Sequence, residues 1–350
     1  MNRFAFAGMP QRVVFGPGTL GDTAAEVVRL GRSRALVLTT ASQKAAGAAL
    51  LAQLGSLGAG SFAGAVMHTP VEVTEQAMAA LAAGNADCVV ALGGGSAIGL
   101  AKALALRSGV DQVVIPTTYA GSEMTDILGE TKSGVKTTQR SPEIRPEVVI
   151  YDVDLTLSLP VGLTVTSALN AIAHGAEALY APDRNPVVLA MVAQALGLFH
   201  SALPMLVAAP GNRDARARVF YAAWCCSVAL GQVSMALHHK LCHVLGGAFN
   251  APHAETHAIL LPHTIGFNAG AVPDLLVPLT ALFGDSAGAG LHDFAARLGA
   301  PTRLADLGLR LADLDHAAAL AVKVPYPNPR AFTQGDIRAI LQNAWDGVRP

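Results

Sequence analysis

Apolar runs alternate with helical patterns through roughly the first 150 residues. Five runs predict strands, at 35–40, 60–66, 87–96, 112–118 and 147–154. Between these strands, the spacing of apolar residues predicts three helices. The first ends near residue 54, and the other two lie at 73–84 and 96–109. Strands that are apolar throughout and separated by helices predict βαβ units and a parallel sheet covered on both faces.

The rhythm changes after residue 119. Residues 126–140 predict a polar hairpin with its turn at Ser133–Gly134. From Leu159–Pro160 onward, long apolar helical patterns replace the strands. The boundary falls near 155–162, so we predict an α/β dinucleotide-binding domain of the Rossmann-like type at 1–158 and an all-helical substrate domain at 159–350.

The composition excludes several classes of protein. Hydrophobic residues make up 52% of the chain and charged residues 14%, which excludes a disordered chain. The net charge of −1 and the 5% of aromatic residues argue against a nucleic-acid partner or an anionic membrane surface. The four cysteines lack metal or disulfide spacing, which predicts free thiols and a cytoplasmic location.

Two stretches, 185–212 and 219–239, contain no Asp, Glu, Lys or Arg and are each long enough to span a bilayer. Polar residues and a Pro–Gly stop interrupt them, and neither has aromatic residues at both ends. We therefore predict no membrane partner and interpret both stretches as buried helices that are apolar all round.

Two polar loops follow predicted strands and are candidates for holding a nucleotide. The first contains Gly93, Gly94, Gly95 and Ser96 and leads into a helix. Glycines allow a phosphate to approach the backbone, the helix N-terminus offers unpaired N–H groups, and Ser96 is the expected N-cap. The second contains Thr117, Thr118 and Ser122. A tight turn and a polar capping loop are the structural alternatives.

Histidines concentrate in the second half of the chain. Of 11 in total, six lie between residues 238 and 263. His239 and His243 are four residues apart, as are Asn170 and His174, so each pair shares a helix face. His253 follows a proline. Such imidazoles can bind a transition metal or handle protons, and for any single histidine a hydrogen-bonded interior role is the alternative.

Together, the GGGS, PTT-x-AGSE, NAIAH, HH-x-x-x-H and APH motifs resemble the iron-containing alcohol dehydrogenase superfamily. The resemblance implies the dehydroquinate synthase-like fold, with an N-terminal dinucleotide domain and an all-helical C-terminal domain. The superfamily's metal ligands are an Asp and three His, which correspond here to Asn170, His174, His239 and His253. A neutral amide replaces the carboxylate, so we expect no metal.

Within the superfamily, TYAGSEMT, EALYAP and PYPNPR are most similar to the maleylacetate reductases. The resemblance implies reduction of the carbon–carbon double bond of maleylacetate, a small dicarboxylate, to 3-oxoadipate by a homodimer. Candidate substrate contacts are Asn170, Tyr326, Arg330, Lys132 and Lys136. No Asp follows the 35–40 strand, so either NADH or NADPH is expected as cofactor.

We expect His243 and His253 to be the essential pair, while His239 and His174 shape the pocket. Replacing His257 or His316 should leave kcat within about threefold, because nothing in the sequence places them on the inner face of the cluster. Two other functions remain open from the sequence: a metal-dependent alcohol dehydrogenase and a carbon–oxygen lyase with recycled NAD.

Overall fold

The computed structural model describes residues 4–132, 135–284 and 286–350. The chain divides into two compact units, Gly8–Leu159 and Pro160–Pro350, and the segment that ends at Ala7 groups with the second. We call them the α/β unit and the helical unit. The predicted turn at Ser133–Gly134 lies outside the described residues, as does the side chain of Lys136.

The α/β unit is built on a six-stranded parallel sheet with the order β1-β8-β5-β4-β2-β3. Its strands are β1 (Arg12–Gly16), β2 (Ala35–Thr40), β3 (Gly58–Ala65), β4 (Cys88–Gly93), β5 (Asp111–Pro116) and β8 (Val148–Asp152). All five predicted strands are present, and the prediction of a parallel sheet is confirmed. The pattern missed β1, a short edge strand that is only partly buried.

Helices and a hairpin complete the α/β unit. The helices are α1 (Thr23–Arg29), α2 (Lys44–Leu54), α3 (Val71–Ala83) and α4 (Gly95–Ser108). The predicted hairpin consists of β6 (Ile127–Lys132) and β7 (Val135–Arg140), which pair antiparallel. Strands β4 and β5 pair in register up to Gly93↔Pro116. The loops that follow these two strands therefore start side by side at the carboxyl edge of the sheet.

The helical unit contains no strand among its described residues. Its helices are α5 (Val161–Tyr180), α6 (Pro186–Ala208), α7 (Arg213–Gln232), α8 (Leu237–Phe249), α9 (His253–Ala269), α10 (Val277–Phe283), α11 (Ala287–Arg297), α12 (Asp313–Val322) and α13 (Gln334–Asp346). Helix α5 is buried on every side from Thr164 onward. It packs against α9, which also contacts α8.

Helix α6 corrects one expectation. It buries a single face, which includes Val192, Phe199 and Leu203, while Val187 and Met205 on the other face are 40% and 44% exposed. By length and composition α6 could cross a membrane, as could α7 and α8 taken together, although they bend by 93° at their junction. Core helices of compact proteins can be equally long and apolar, so length and composition alone are weak support for a membrane span.

Candidate functional site

The glycine loop between β4 and α4 has the geometry of a phosphate cradle. Gly93 has a φ of +153°, which other residues rarely adopt, and a side chain on Gly94 would come within 3.0 Å of Thr118 Oγ1. Gly95 is exposed, with nothing within 4 Å of where its Cβ would lie. The backbone can therefore be approached closely at the start of a 14-residue helix.

The expectation that Ser96 is the N-cap of α4 is wrong. The N–H groups of Ala97 and Ile98 donate to the carbonyl of Gly94, which is the N-cap and uses no side chain for capping. The helix starts earlier because Gly93 and Gly94 turn the chain without needing a side-chain acceptor. Ser96 is the second residue of the helix and is half-buried.

The second loop is tied to the first by hydrogen bonds. The N–H of Thr117 donates to the carbonyl of Gly93 over 3.1 Å, and Gln43 Nε2 donates to Thr117 Oγ1 over 3.1 Å. The Thr118 side chain lies against Gly94 and is only half-buried. The structure thus brings the two predicted nucleotide loops together, and it adds Gln43, which the sequence motifs did not indicate.

Ser122 is held by a buried lysine. Lys102 Nζ donates to the backbone oxygen and the hydroxyl of Ser122 and also to Thr125 and Ile127. Burial lowers the pKa of Lys102 to about 7, against the effect of nearby carboxylates. Lys102 on α4 therefore fixes the segment that follows the second loop. The sequence signal was a lysine in the apolar middle of a helix.

Six histidines of the helical unit form one group, which we call the histidine cluster. Its members are His174 on α5, His238, His239 and His243 on α8, and His253 and His257 on α9. The ring centroid of His239 lies 5.0 Å from that of His174, 5.1 Å from that of His257 and 6.3 Å from that of His243. His253 lies 4.4 Å from His257. The four histidines predicted to converge thus belong to one cluster.

The structure contradicts the placement of His257 outside the inner face of the cluster, while its expected effect on kcat stays untested. Its side chain is fully buried, and its ring contacts those of His238, His239 and His253. It lies four residues after His253, one turn along α9, and this spacing could have indicated a shared helix face. His316 is exposed and lies edge-to-face against the Phe249 ring, outside the histidine cluster.

Glu177 is a functional candidate to which the sequence analysis gave no role, although it is the first residue of the EALYAP motif. Its carboxylate accepts hydrogen bonds from His239 Nδ1 over 2.6 Å and from the backbone N–H groups of Ala236 and His238 over 2.9 and 2.8 Å. Burial raises the pKa of a carboxyl group, but these hydrogen bonds lower the pKa of Glu177 to about 2. An available signal was that Glu177 is the single charged residue in α5.

Burial divides the histidine cluster into two kinds of residue. His243 and His253 are exposed on this chain, whereas the others are buried. Burial and the neighbouring histidines lower the pKa of His174 and of His257 well below the usual range, and burial lowers the pKa of His238 to about 3. Three histidines are therefore neutral hydrogen-bonding groups, while the exposed pair can exchange protons with water.

The positions that correspond to the superfamily's metal ligands lack the carboxylate of that ligand set. Asn170 offers a neutral amide, and His174, His239 and His253 do not bring three ring nitrogens within 4.8 Å of one another. In the described part of the chain, only His238, Cys242 and His257 form such a group, and their two ring nitrogens hydrogen-bond to each other over 2.9 Å. No step is assigned to a metal.

The predicted substrate contacts differ in burial and in the groups they contact. Arg330 is exposed, donates from Nη1 to the carbonyl of Phe267 over 3.0 Å and lies 4.0 Å over the Phe267 ring. Tyr326 and Arg330 line one surface pocket, and burial raises the pKa of the Tyr326 hydroxyl. Asn170 is buried on α5, one turn before His174, and Lys132 is exposed at the end of β6. Within the helical unit, Asn170 is not among the residues that line the pocket of Tyr326 and Arg330.

Comparison with known proteins gives full-length matches. Residues 10–153 match the family described as iron-containing alcohol dehydrogenase, and residues 164–345 match the Fe-containing alcohol dehydrogenase family, C-terminal. The maleylacetate reductases of Rhizobium sp. strain MTP-10005 and Rhodococcus opacus are 57% and 50% identical, with 100% of this chain and 100% and 98% of theirs covered. The crystal structure of maleylacetate reductase from Agrobacterium tumefaciens is 57% identical, with a TM-score of 0.97 and 100% of both chains covered.

Proposed function

Because this chain belongs to the iron-containing alcohol dehydrogenase family, whose members are NAD(P)-dependent oxidoreductases, we propose that it acts as a maleylacetate reductase. It reduces the carbon–carbon double bond of maleylacetate and forms 3-oxoadipate. The observation that carries the proposal is 57% identity to a maleylacetate reductase over the whole of both chains. The fold and the histidine cluster provide a physical basis for the reaction.

The α/β unit holds the nucleotide. Its diphosphate fits against the backbone of Gly94 and Gly95, at the N-terminus of α4, because both positions leave room that a larger side chain would fill. Thr118 lines this cradle. Strand β2 ends at Thr40, whose hydroxyl lies 3.0 Å from that of Ser42, so no carboxylate there repels a 2′-phosphate. We therefore expect both NADH and NADPH to be used.

The helical unit stabilises the negative charge that develops on the substrate and supplies the proton. Bound reduced nicotinamide supplies a hydride to the alkene carbon β to the ketone. Negative charge then develops on the ketone oxygen and is stabilised by hydrogen-bond donors before a proton reaches the neighbouring carbon. His243 and His253 are assigned as these donors because their exposed rings can regain a proton from water. One hydride and one proton complete the reduction.

The buried histidines position this donor pair. Glu177 is ionised and accepts from His239 Nδ1, which fixes the orientation of the His239 ring. His174 packs against the same ring. Arg330, Tyr326, Asn170, Lys132 and Lys136 remain the candidates for the substrate carboxylates. We also propose a cytoplasmic homodimer, in keeping with four buried free cysteines.

A direct assay of NADH oxidation, with identification of the product, tests this function. Purified protein is mixed with maleylacetate and NADH, the loss of absorbance of NADH is followed, and the product is identified by NMR through the loss of both alkene protons. We expect one 3-oxoadipate per NADH. His243→Ala and His253→Ala should each lower kcat by at least about a hundredfold, and His316→Ala should not. Reduction of the ketone instead of the alkene, or no turnover by the unaltered protein, would refute the proposal.

A further inference from the structure

A hydrogen-bond chain starts at Thr264 on α9. The Thr264 hydroxyl donates to the carbonyl of Leu260, one turn earlier, over 3.0 Å. Since its single proton is used in this way, its oxygen can only accept from His238 Nδ1, which lies 3.1 Å away. His238 therefore carries its proton on Nδ1.

The second link joins His238 to His257. His238 Nε2 lies 2.9 Å from His257 Nδ1, and both rings are completely buried. The side-chain hydrogen bonds of His238 go to Thr264, His257 and Cys242, and none of these is a carboxylate that would compensate a buried positive charge. His238 is therefore neutral, its Nε2 is an acceptor, and His257 donates from Nδ1.

The chain ends on a lone pair next to a residue of the proposed donor pair. A neutral His257 with its proton on Nδ1 has an acceptor at Nε2, and within the described part of the chain this buried atom has no hydrogen-bond partner. Nε2 lies on the side of the ring away from His238. The nearest neighbouring ring is that of His253, 4.4 Å from centroid to centroid and one turn earlier on the same helix.

We propose that Thr264 and His238 fix the tautomer of His257, and that His257 is a positioning residue that accepts a hydrogen bond from His253 during the reaction. One N–H of the protonated His253 ring is then held by His257, and the other N–H is directed at the substrate. The proton that His253 gives up is replaced from water, and no proton moves along the chain. The positioning role of His257 rests on the proposed function of His253, whereas the assignment of the tautomers of His238 and His257 does not.

The tautomers are measured directly by two-dimensional NMR of protein labelled with ¹⁵N in histidine, which distinguishes protonated from bare ring nitrogens. We expect His238 and His257 both to carry their proton on Nδ1. Thr264→Val should shift the His238 signals, because it removes the acceptor. Thr256→Val is the matched control, since Thr256 on α9 also donates to a carbonyl one turn earlier, that of Pro252, but among the described residues no hydrogen bond joins its side chain to a histidine. A proton on Nε2 of His257 in the unaltered protein would overturn the proposal.

Kinetics test the positioning role. The amide of His257→Asn replaces the group at Nδ1 and leaves the Nε2 position empty, whereas His257→Gln places an amide near Nε2. We expect His257→Asn to lower kcat by at least about tenfold, His257→Gln to retain more of it, and the Kd for NADH to be unchanged in both, because the α/β unit holds the nucleotide. A role that is only structural would not separate the two amides.

A double variant distinguishes positioning from a general loss of stability. If His257 acts through His253, then His253→Ala combined with His257→Asn should be no slower than His253→Ala alone. Effects that multiply would overturn the proposal, as would a His257→Asn enzyme within about threefold of the unaltered kcat. If the unaltered protein does not reduce maleylacetate, the proposed function fails, while the NMR result still decides the tautomers.

Discussion

Glu177 connects one helix end to one imidazole. Its two carboxylate oxygens accept hydrogen bonds from the backbone N–H groups of Ala236 and His238 and from the Nδ1–H of His239. The first two belong to the start of α8, where helical N–H groups lack partners within the helix. One ionised side chain thus stabilises the N-terminus of α8 and sets the orientation of a histidine in the cluster.

Replacing Glu177 should therefore affect catalysis. Glu177→Gln keeps the volume but weakens the hold on His239, and loss of such an outer hydrogen-bond partner typically reduces activity about tenfold to a hundredfold. The measurement is kcat with maleylacetate at neutral pH, together with the Kd for NADH, which should not change. Glu72→Gln, on the exposed surface of α3, is the control. An unaltered kcat in folded Glu177→Gln protein would show that His239 does not need this partner.

The same carboxylate predicts how stability depends on pH. The folded-state pKa of Glu177 is about 2, lower than the ordinary value of 4.5, so its contribution is fully present above about pH 4.5 and is lost as the pH falls towards 2. The free energy of unfolding, measured by urea denaturation between pH 2.5 and 6, should fall with acid more steeply for the unaltered protein than for Glu177→Gln. Parallel curves would mean that Glu177 is not ionised in the folded state in the way described.

At the scale of single residues, the sequence indicated the histidine spacing but not the hydrogen bonds. His239, His243 and His253 were found because helical periodicity and a proline boundary are visible in the chain. Glu177 and His238 were missed, since their partners lie on helices that are distant in sequence. His257 was assigned to the outside although its spacing from His253 was readable.

At the scale of elements, the apolar runs located the strands because a buried parallel strand is apolar on both faces. Strand β1 was missed because it is a short edge strand. The N-cap of α4 was placed two residues late, at Ser96, because capping by a side chain was expected where Gly94 provides the turn. The approach of Gly94 to Thr118 depends on the register of β4 with β5, which the sequence does not show.

That approach makes a prediction for the nucleotide loop. Gly94→Val would place methyl groups against Thr118 and in the path of a phosphate, so the KM for NADH should rise at least about tenfold, a loss near 1.4 kcal/mol. Gly95→Ala is the matched variant: nothing lies within 4 Å of its Cβ, and it should keep the melting temperature of the unaltered protein and change the KM less. Unchanged NADH binding by folded Gly94→Val protein would remove the loop from the cofactor site.

At the scale of the whole molecule, an α/β half followed by a helical half was readable from the change of periodicity near residue 159. The fold class is confirmed by the parallel sheet, by the helices and by structural relatives. The residues that bind the substrate carboxylates were not predictable in the same way. Arginine and lysine occur on exposed surfaces for many reasons, and their convergence depends on tertiary structure.

The central claim is that the histidine cluster supports this reduction without a metal ion. The most direct test is kcat for maleylacetate reduction after dialysis against EDTA, with iron and zinc quantified in the same sample. The account predicts that most of the activity remains in metal-free protein, and that Asn170→Asp binds Zn²⁺ or Fe²⁺ more tightly than the unaltered chain, because it restores a negative charge. Complete loss of activity in EDTA, restored by adding Fe²⁺ or Zn²⁺, would contradict it.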